Sequence, residues 1–503
     1  MKFSVAAVSL VVTTLTSGIL AHDPDARYAG NKRHLAWRRQ HVTSSSTSSS
    51  ASRTTVSSSH ATSSISSTTS SGSTATTSSP TTVLSGSTTT PGTAVTTTTP
   101  SSTSTLDGNY IPPLSQITSG MPLQGTVNMF TTFSAGATPP VAGAPPLPSI
   151  TVVPANYPAL DVVPPTDSDQ VKEWLNLLNG VTIPNIPTTG DGTCASNPSL
   201  VANGTSSGSC WWTCGGCTRS TDVSVCPNKG TWGVSYDDGP SPYTPHLINY
   251  LNEKSLIATF FVVGSRVISR PQMLQTEYML GHQISVHTWS HHPLTTLTNE
   301  QIVAELGWTK KAIKDVLGVT PNTMRPPYGD IDDRVRAICK AMDLIPILWH
   351  VHLTSSGSTE FDTNDWKIPG GTATGDSSYT AFQQILSLAA SLSTGFIVLE
   401  HDLYQQTVMM AIGYFLPLAF NQTSSLKLQP INECLGISLA NVYEETNSNG
   451  TGTGGTGTAS SHHSPTQGGQ GGAADTAAPV PTKALVALFI SFLMMMVGAT
   501  LLG

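Results

Sequence analysis

Charge is what this chain has least of. Only 11% of its 503 residues are Asp, Glu, Lys or Arg, against roughly 25% in an ordinary soluble domain. Long uncharged stretches must therefore dilute a smaller folded unit. A basic excess is missing as well: 23 Lys and Arg face 30 Asp and Glu, for a formal net charge of -7. That balance offers no basic face for nucleic acid. No Lys or Arg follows the apolar run Ala484 to Leu502, whereas a retained membrane span ordinarily carries a flanking cytoplasmic cluster of them. Sustained periodicity is absent between Thr43 and Pro165. Thr43 to Thr105 is almost wholly Ser and Thr, a composition that cannot build a core and suits an O-glycosylated, extended stalk.

What is present divides the chain into six parts. Lys2, the mostly apolar Val5 to Leu20 and Ala21 read as a secretory signal peptide over 1–21, with an uncleaved anchoring helix as the alternative. A Ser/Thr-rich stalk follows over 22–106, then a Pro-rich linker over 107–166. The folded domain is expected over 167–445, with its core at about 228–425. A Gly/Ser/Thr-rich linker covers 446–483, and 484–503 is the hydrophobic tail. Small residues, a polar spacer and an apolar tail match a glycosylphosphatidylinositol (GPI) attachment signal. Gly471, Gly472 and Ala473 are the candidate attachment residues. A retained transmembrane helix is the alternative.

Export makes the seven cysteines candidates for disulfides rather than redox thiols. Cys210, Cys214, Cys217 and Cys226 are crowded enough that a zinc knuckle is a second reading. Cys339, on a helix-like stretch, is expected to be the unpaired one. Three glycosylation sequons, at Asn203, Asn421 and Asn449, fit an exported chain.

Within the folded part, strands and helices alternate. Strands are expected at Thr231 to Tyr236, Ile257 to Val263, Gln283 to Val286, Asn322 to Arg325, Ile345 to Trp349 and Gly395 to Leu399. Helices are expected at Gln170 to Leu178, Tyr243 to Lys254, Gln272 to Leu280, Asn299 to Leu317, Asp332 to Met342 and Tyr379 to Ser393. Such alternation argues for parallel strands covered by helices, in one α/β barrel-sized unit of about 275 residues.

Five motifs carry candidate chemistry, and four of them close an expected strand. Asp237-Asp238-Gly239-Pro240 closes a buried strand with two adjacent carboxylates that repel unless a cation accompanies them; alone, it also fits a solvated turn. One acid could bind a metal while the other acts as general base. His287 and His291, after the next strand but one, suit a zinc-like metal together with a carboxylate, although two surface histidines are the plainer reading. Arg325-Pro326-Pro327-Tyr328-Gly329 holds a fixed amide at Tyr328, suited to an oxyanion, and an Arg able to keep Asp237 ionised. Asp362-Thr363-Asn364-Asp365-Trp366 and Leu399-Glu400-His401 complete the set. His401 could protonate a leaving amine with Asp362 holding its ring. In parallel barrels strand ends converge on one face, where active sites sit.

In this order, the motifs resemble those of the polysaccharide deacetylase family (carbohydrate esterase family 4, with the NodB homology domain), and most of all its fungal chitin deacetylases. The resemblance covers about Cys194 to Cys434. It implies a distorted (β/α) barrel flanked by low-complexity linkers. It also implies a divalent metal, zinc or alternatively cobalt, on Asp238, His287 and His291. Asp237 would be the general base, oriented by Arg325. Tyr328 would supply the oxyanion donor. His401 would be the general acid, tethered by Asp362, with Trp366 and Leu399 lining the site. The implied partners are chitin or N-acetylglucosamine oligomers, cell-wall polysaccharide and, through a GPI anchor, the plasma membrane. The implied location is secreted, at the cell wall and plasma membrane. Two departures stand out: Ser235-Tyr236 replaces the usual Thr-Phe, and a polar stretch, His350 to Glu360, precedes Asp362. His350 and His352 are read as packing or groove residues. A deacetylase of another acylated polysaccharide and a non-catalytic carbohydrate-binding wall protein are the competing readings.

Overall fold

The computed structural model describes residues 108–354, 357–421 and 426–448. The signal peptide, the stalk, Asn449, the candidate GPI residues and the hydrophobic tail lie outside the described residues.

Among the described residues ten short strands follow one another: β1 (Thr231–Gly233), β2 (Ser235–Asp237), β3 (Thr259–Val262), β4 (Gln283–Val286), β5 (Thr323–Met324), β6 (Ile345–Pro346), β7 (Val351–Thr354), β8 (Gly357–Glu360), β9 (Phe396–Ile397) and β10 (Lys427–Gln429). One parallel sheet has the order β2-β3-β4-β5-β6 and another β10-β1-β9. The run expected as one strand, Thr231 to Tyr236, is two pieces because Val234 changes partners. Its N–H donates to Gln429 at 2.9 Å, and its carbonyl accepts from Thr259 at 2.9 Å. The residues beyond β6 and β9 then close the circuit. His350 N–H donates to Ile397, Phe361 N–H to His350, and Leu399 N–H to Phe361. Asp237 pairs with His401 in a parallel bridge. The result is a distorted, closed parallel α/β arrangement.

The helices follow their sequence signals. Asn299–Leu317 starts at Thr298, whose hydroxyl accepts from the Gln301 amide while the Gln301 side chain accepts from Thr298, and it stops at Gly318 with φ 80°. This capping box and left-handed stop are worth about 1 kcal/mol each in helix stability. The helix buries Ile302, Leu306, Ile313 and Leu317 in the core. The region between His401 and β10, for which no element was expected, is helical at Gln405–Met410 and Leu416–Asn421. The polar stretch before Asp362 is an antiparallel hairpin of β7 and β8.

The Pro-rich linker is a correction. Residues 108–166 lack a period, yet Ile117, Met121, Val141 and Leu147 are buried in the main core. Isolated apolar side chains separated by prolines can fill grooves without forming any regular element, so periodicity could not find them. The cysteines pair as Cys194–Cys214, Cys210–Cys217 and Cys226–Cys434. Cys339 is free and buried. The zinc knuckle is thereby excluded. Asn203 and Asn421 are exposed at helix ends. Among the described residues no helix is long and apolar enough to cross a membrane.

Candidate active site

Backbone hydrogen bonds carry each functional residue to one end of the sheet. Just past β2, Asp238 N–H donates to Phe261 of β3. Just past β4, His287 N–H donates to Val262, and Arg325 N–H donates to Val286. Asp237 N–H donates to Glu400, and Asp402 N–H returns the bond to Asp237, which sets His401 beside Asp237. Asp237, Asp238, His287, His291, Tyr328, Trp366, Leu399 and His401 all line one cleft of about 210 Å³.

Strain concentrates at this cleft. Asp238, Thr288, His291, Tyr328 and Asn364 have φ of 81°, 63°, 59°, 61° and 58°. Such backbone costs roughly 1–3 kcal/mol per residue and survives only where the surroundings over-determine it. Glu305 is one such determinant. Its buried carboxylate accepts the N–H groups of Trp289 and Ser290 at 2.8 Å each, and the Ser290 hydroxyl. Burial raises this carboxyl to about 7 against those hydrogen bonds, which lower it. The loop carrying both histidines is thus pinned from the helix Asn299–Leu317.

Asp238 Oδ1 lies 3.4 Å from His287 Nε2 and 3.0 Å from His291 Nε2. The ligating atoms of these three residues all fall within 4.8 Å of one another. His287 Nδ1 is 2.7 Å from the Arg325 carbonyl, which can only accept, so Nδ1 carries the proton and Nε2 presents a lone pair to the cleft. His291 Nδ1 meets the Tyr328 hydroxyl at 3.2 Å. Asp238 Oδ1 is buried and has no hydrogen-bond partner among the described residues. Burial alone would raise Asp238, but His291, His287 and Arg266 outweigh it and hold the carboxyl well below its usual range. An ionised carboxylate oxygen converging with two imidazole nitrogens is a donor set that fits a divalent metal.

Asp237, the neighbouring acid, is held differently. Arg325 Nη1 donates to its Oδ1 at 2.6 Å and to Ser235 Oγ at 3.1 Å. The guanidinium is fully buried and stacks 4.0 Å from the Phe261 ring. The other Asp237 oxygen lies 3.9 Å from His287 Nε2. The expected pairing of Arg325 with Asp237 is therefore present.

Asp362 is a correction. His401 Nδ1 is 2.7 Å from Asp365 Oδ1, and the His401 amide donates to Asp365 Oδ2 at 3.0 Å. Asp362 instead accepts from the Asn364 amide at 2.8 Å and from Trp366 Nε1 at 3.3 Å. Left-handed Asn364 turns the chain between the two acids, so the second reaches the ring and the first braces Trp366. Burial opposes the charge on His401, but Asp365, with Asp238 and Asp237 behind it, raises the ring to about 10. Its neighbours thus favour the charged imidazolium over the neutral ring. His350 and His352 are absent from the cleft lining; His350 packs edge-on to Phe361 at 4.5 Å.

Asp365 and Glu305 were not found from sequence. The one signal for Glu305 was a charge on an apolar helix face, three residues after Ile302 and eight before Ile313.

A sequence profile described as polysaccharide deacetylase matches residues 224–346. Chitin deacetylase 1 of Cryptococcus neoformans var. grubii is 58% identical over 348 residues, 69% of this chain and 73% of that one. The chitin deacetylase of Amylomyces rouxii is 34% identical over 252 residues, 48% of this chain and 57% of that one. A solved chitin deacetylase from Colletotrichum lindemuthianum aligns over 44% of this chain and 95% of that one, at 25% identity and a TM-score of 0.40. The profile spans β1 to β6, and the Cryptococcus relative shares more than half its residues across most of both lengths, so this chain belongs to the polysaccharide deacetylase family.

Proposed function

We propose that this chain hydrolyses the N-acetyl groups of chitin, a polymer of N-acetylglucosamine, to give chitosan and acetate in the fungal cell wall. One observation carries the reading: 58% identity to a chitin deacetylase, in a chain whose cleft joins the three-residue donor set to an Arg-held carboxylate and a carboxylate-held imidazolium. Water adds to the acetyl carbonyl carbon, the C–N bond breaks, and acetate and a free amine leave.

Asp237 accepts the proton from the attacking water, with Arg325 fixing the direction of its free oxygen. His401, charged through Asp365, delivers a proton to the departing nitrogen. The Tyr328 amide, set by a left-handed residue after two prolines, donates to the carbonyl oxygen as negative charge develops. Trp366 and Leu399 confine the acetyl group. Asp238, His287 and His291 would hold a divalent metal, zinc by the nature of two imidazoles and one carboxylate or cobalt in its place, and when bound it lowers the pKa of water and polarises the carbonyl.

The site of action is extracellular: a signal peptide over 1–21, glycans at Asn203, Asn421 and Asn449, and a GPI anchor at Gly471, Gly472 or Ala473 would fix the enzyme at the plasma membrane facing wall polysaccharide. Three disulfides support an oxidising compartment.

Acetate release from N-acetylglucosamine oligomers, before and after chelation and metal return, tests the reading. Release that is lost on chelation and regained with metal is expected, with kcat falling about 10²–10⁴-fold in Asp237→Asn. No release at any oligomer length by metal-loaded protein would overturn the chitin reading.

A further inference from the structure

One part of the cleft wall comes from far upstream of the residues that match the family profile. Ser119, Met121 and Leu123 line the cleft together with Trp366 and Tyr404. They belong to a strap, Ile117 to Gln124, with no helix or strand of its own, only a turn and one bridge residue at Gln124.

The strap is pinned along its length. The side-chain amide of Gln405 accepts from Gln124 N–H at 2.7 Å and donates to the Pro122 carbonyl at 3.1 Å, as a neighbouring strand would. Gln406 Nε2 donates to the Thr118 carbonyl at 3.2 Å. At the upstream end Ile117 is fully buried and its carbonyl accepts from Gly375 at 2.8 Å. Both glutamines open the helix that begins shortly after His401, so the strap is registered to the proposed acid. Ordering such a segment costs backbone entropy at every residue. Core burial by Ile117 and Met121 offsets part of that cost but does not account for Leu123, which is held 45% exposed at the rim.

Resting on the deacetylase reading, we infer that this strap is a subsite for the sugar unit next to the one that reacts. Leu123 and Met121 take the apolar C–H face of the pyranose. The exposed Ser119 hydroxyl meets its polar edge, and Trp366 and Tyr404 complete the enclosure. A pyranose presents one apolar face and a rim of hydroxyls, and the wall offers that same alternation. The consequence is a preference for chains over single sugars, set by residues remote in sequence from the catalytic motifs.

The test compares wild type with Leu123→Ala and Leu123→Trp across N-acetylglucosamine oligomers of increasing length, starting from the single sugar. Leu123 is exposed, so neither variant threatens the fold. For Leu123→Ala, KM for the longer oligomers rises about 3–10-fold with kcat unchanged, and the values for the single sugar do not move. Leu123→Trp lowers KM for the longer oligomers. The same chain-length dependence in all three proteins would overturn the subsite. Oligomer binding to the Asp237→Asn background, followed by tryptophan fluorescence, separates this from the reaction itself. Wild-type protein that binds oligomers but releases no acetate contradicts the deacetylase reading alone. Equal affinity with and without Leu123→Ala in that background, or no binding in either case, contradicts the subsite.

Discussion

His291 and His401 are both largely buried, each has a carboxylate at hydrogen-bonding distance, and they are driven to opposite states. His291 Nε2 meets Asp238 at 3.0 Å; His401 Nδ1 meets Asp365 at 2.7 Å. Burial lowers the pKa of His291, and the neighbouring His287 and Arg266 reinforce it, so that Asp238 does not restore the ring to its usual value. Burial also opposes the charge on His401, but Asp365, Asp238 and Asp237 raise it to about 10. A second difference lies in the hydrogen bonds of the rings. On the His287–His291 side the Nδ1 atoms face a carbonyl and a hydroxyl, leaving Nε2 for a metal. On the His401 side Nδ1 is taken by a carboxylate. Residue type does not decide between ligand and acid; the charges around the ring and the nitrogen they address do.

The largest expected effect separates the two sides by what is lost. His287→Ala loses retained metal, read by elemental analysis of dialysed protein, and activity with it. His401→Ala keeps its metal but loses about 10²–10⁴-fold in kcat. Equal metal loss in both variants would erase the distinction. A smaller effect is expected at Glu305, which acts only through the histidine loop. Glu305→Gln weakens metal affinity about 10–100-fold, measured by competition with a chelating dye, and leaves the pH dependence of kcat in place. The smallest expected effect separates the two acids of the fourth motif. Asp365→Asn moves the alkaline limb of kcat/KM down by about 1–3 pH units, because His401 loses its first counter-charge. Asp362→Asn leaves that limb where it is.

The same shift has a stability consequence. The folded-state value of His401 lies above that of a free imidazole, so its contribution is fully present below about pH 6.5. It is lost as pH rises through about 10. Metal-free protein is therefore expected to lose stability across that alkaline window, and Asp365→Asn to lose less of it.

Much of the site could be read in sequence because its residues sit where short apolar runs are cut off by turn formers. Gly239-Pro240 after Asp238 and Pro326-Pro327 after Arg325 mark strand ends sharply, and strand ends converge. Two kinds of information were hidden. Asp362 and Asp365 are three residues apart in one turn. Which of them reaches His401 depends on the left-handed conformation of Asn364, a backbone fact that spacing does not encode. The strap Ile117 to Gln124 has no period, since it fits a surface made by other elements, and its partners Gln405 and Gln406 lie far along the chain. The split at Val234 was hidden for a related reason: a continuous apolar run does not record which neighbour each peptide group bonds.

The most direct test of this account is the titration of the His401 ring by NMR in metal-free protein, assigned by comparison with His401→Gln. The ring is expected to stay protonated through neutral pH and to release its proton near the value of about 10 that Asp365, Asp238 and Asp237 impose. A midpoint near the ordinary imidazole value of about 6.5 would contradict the assignment of His401 as the charged acid opposite the proposed metal-binding pair.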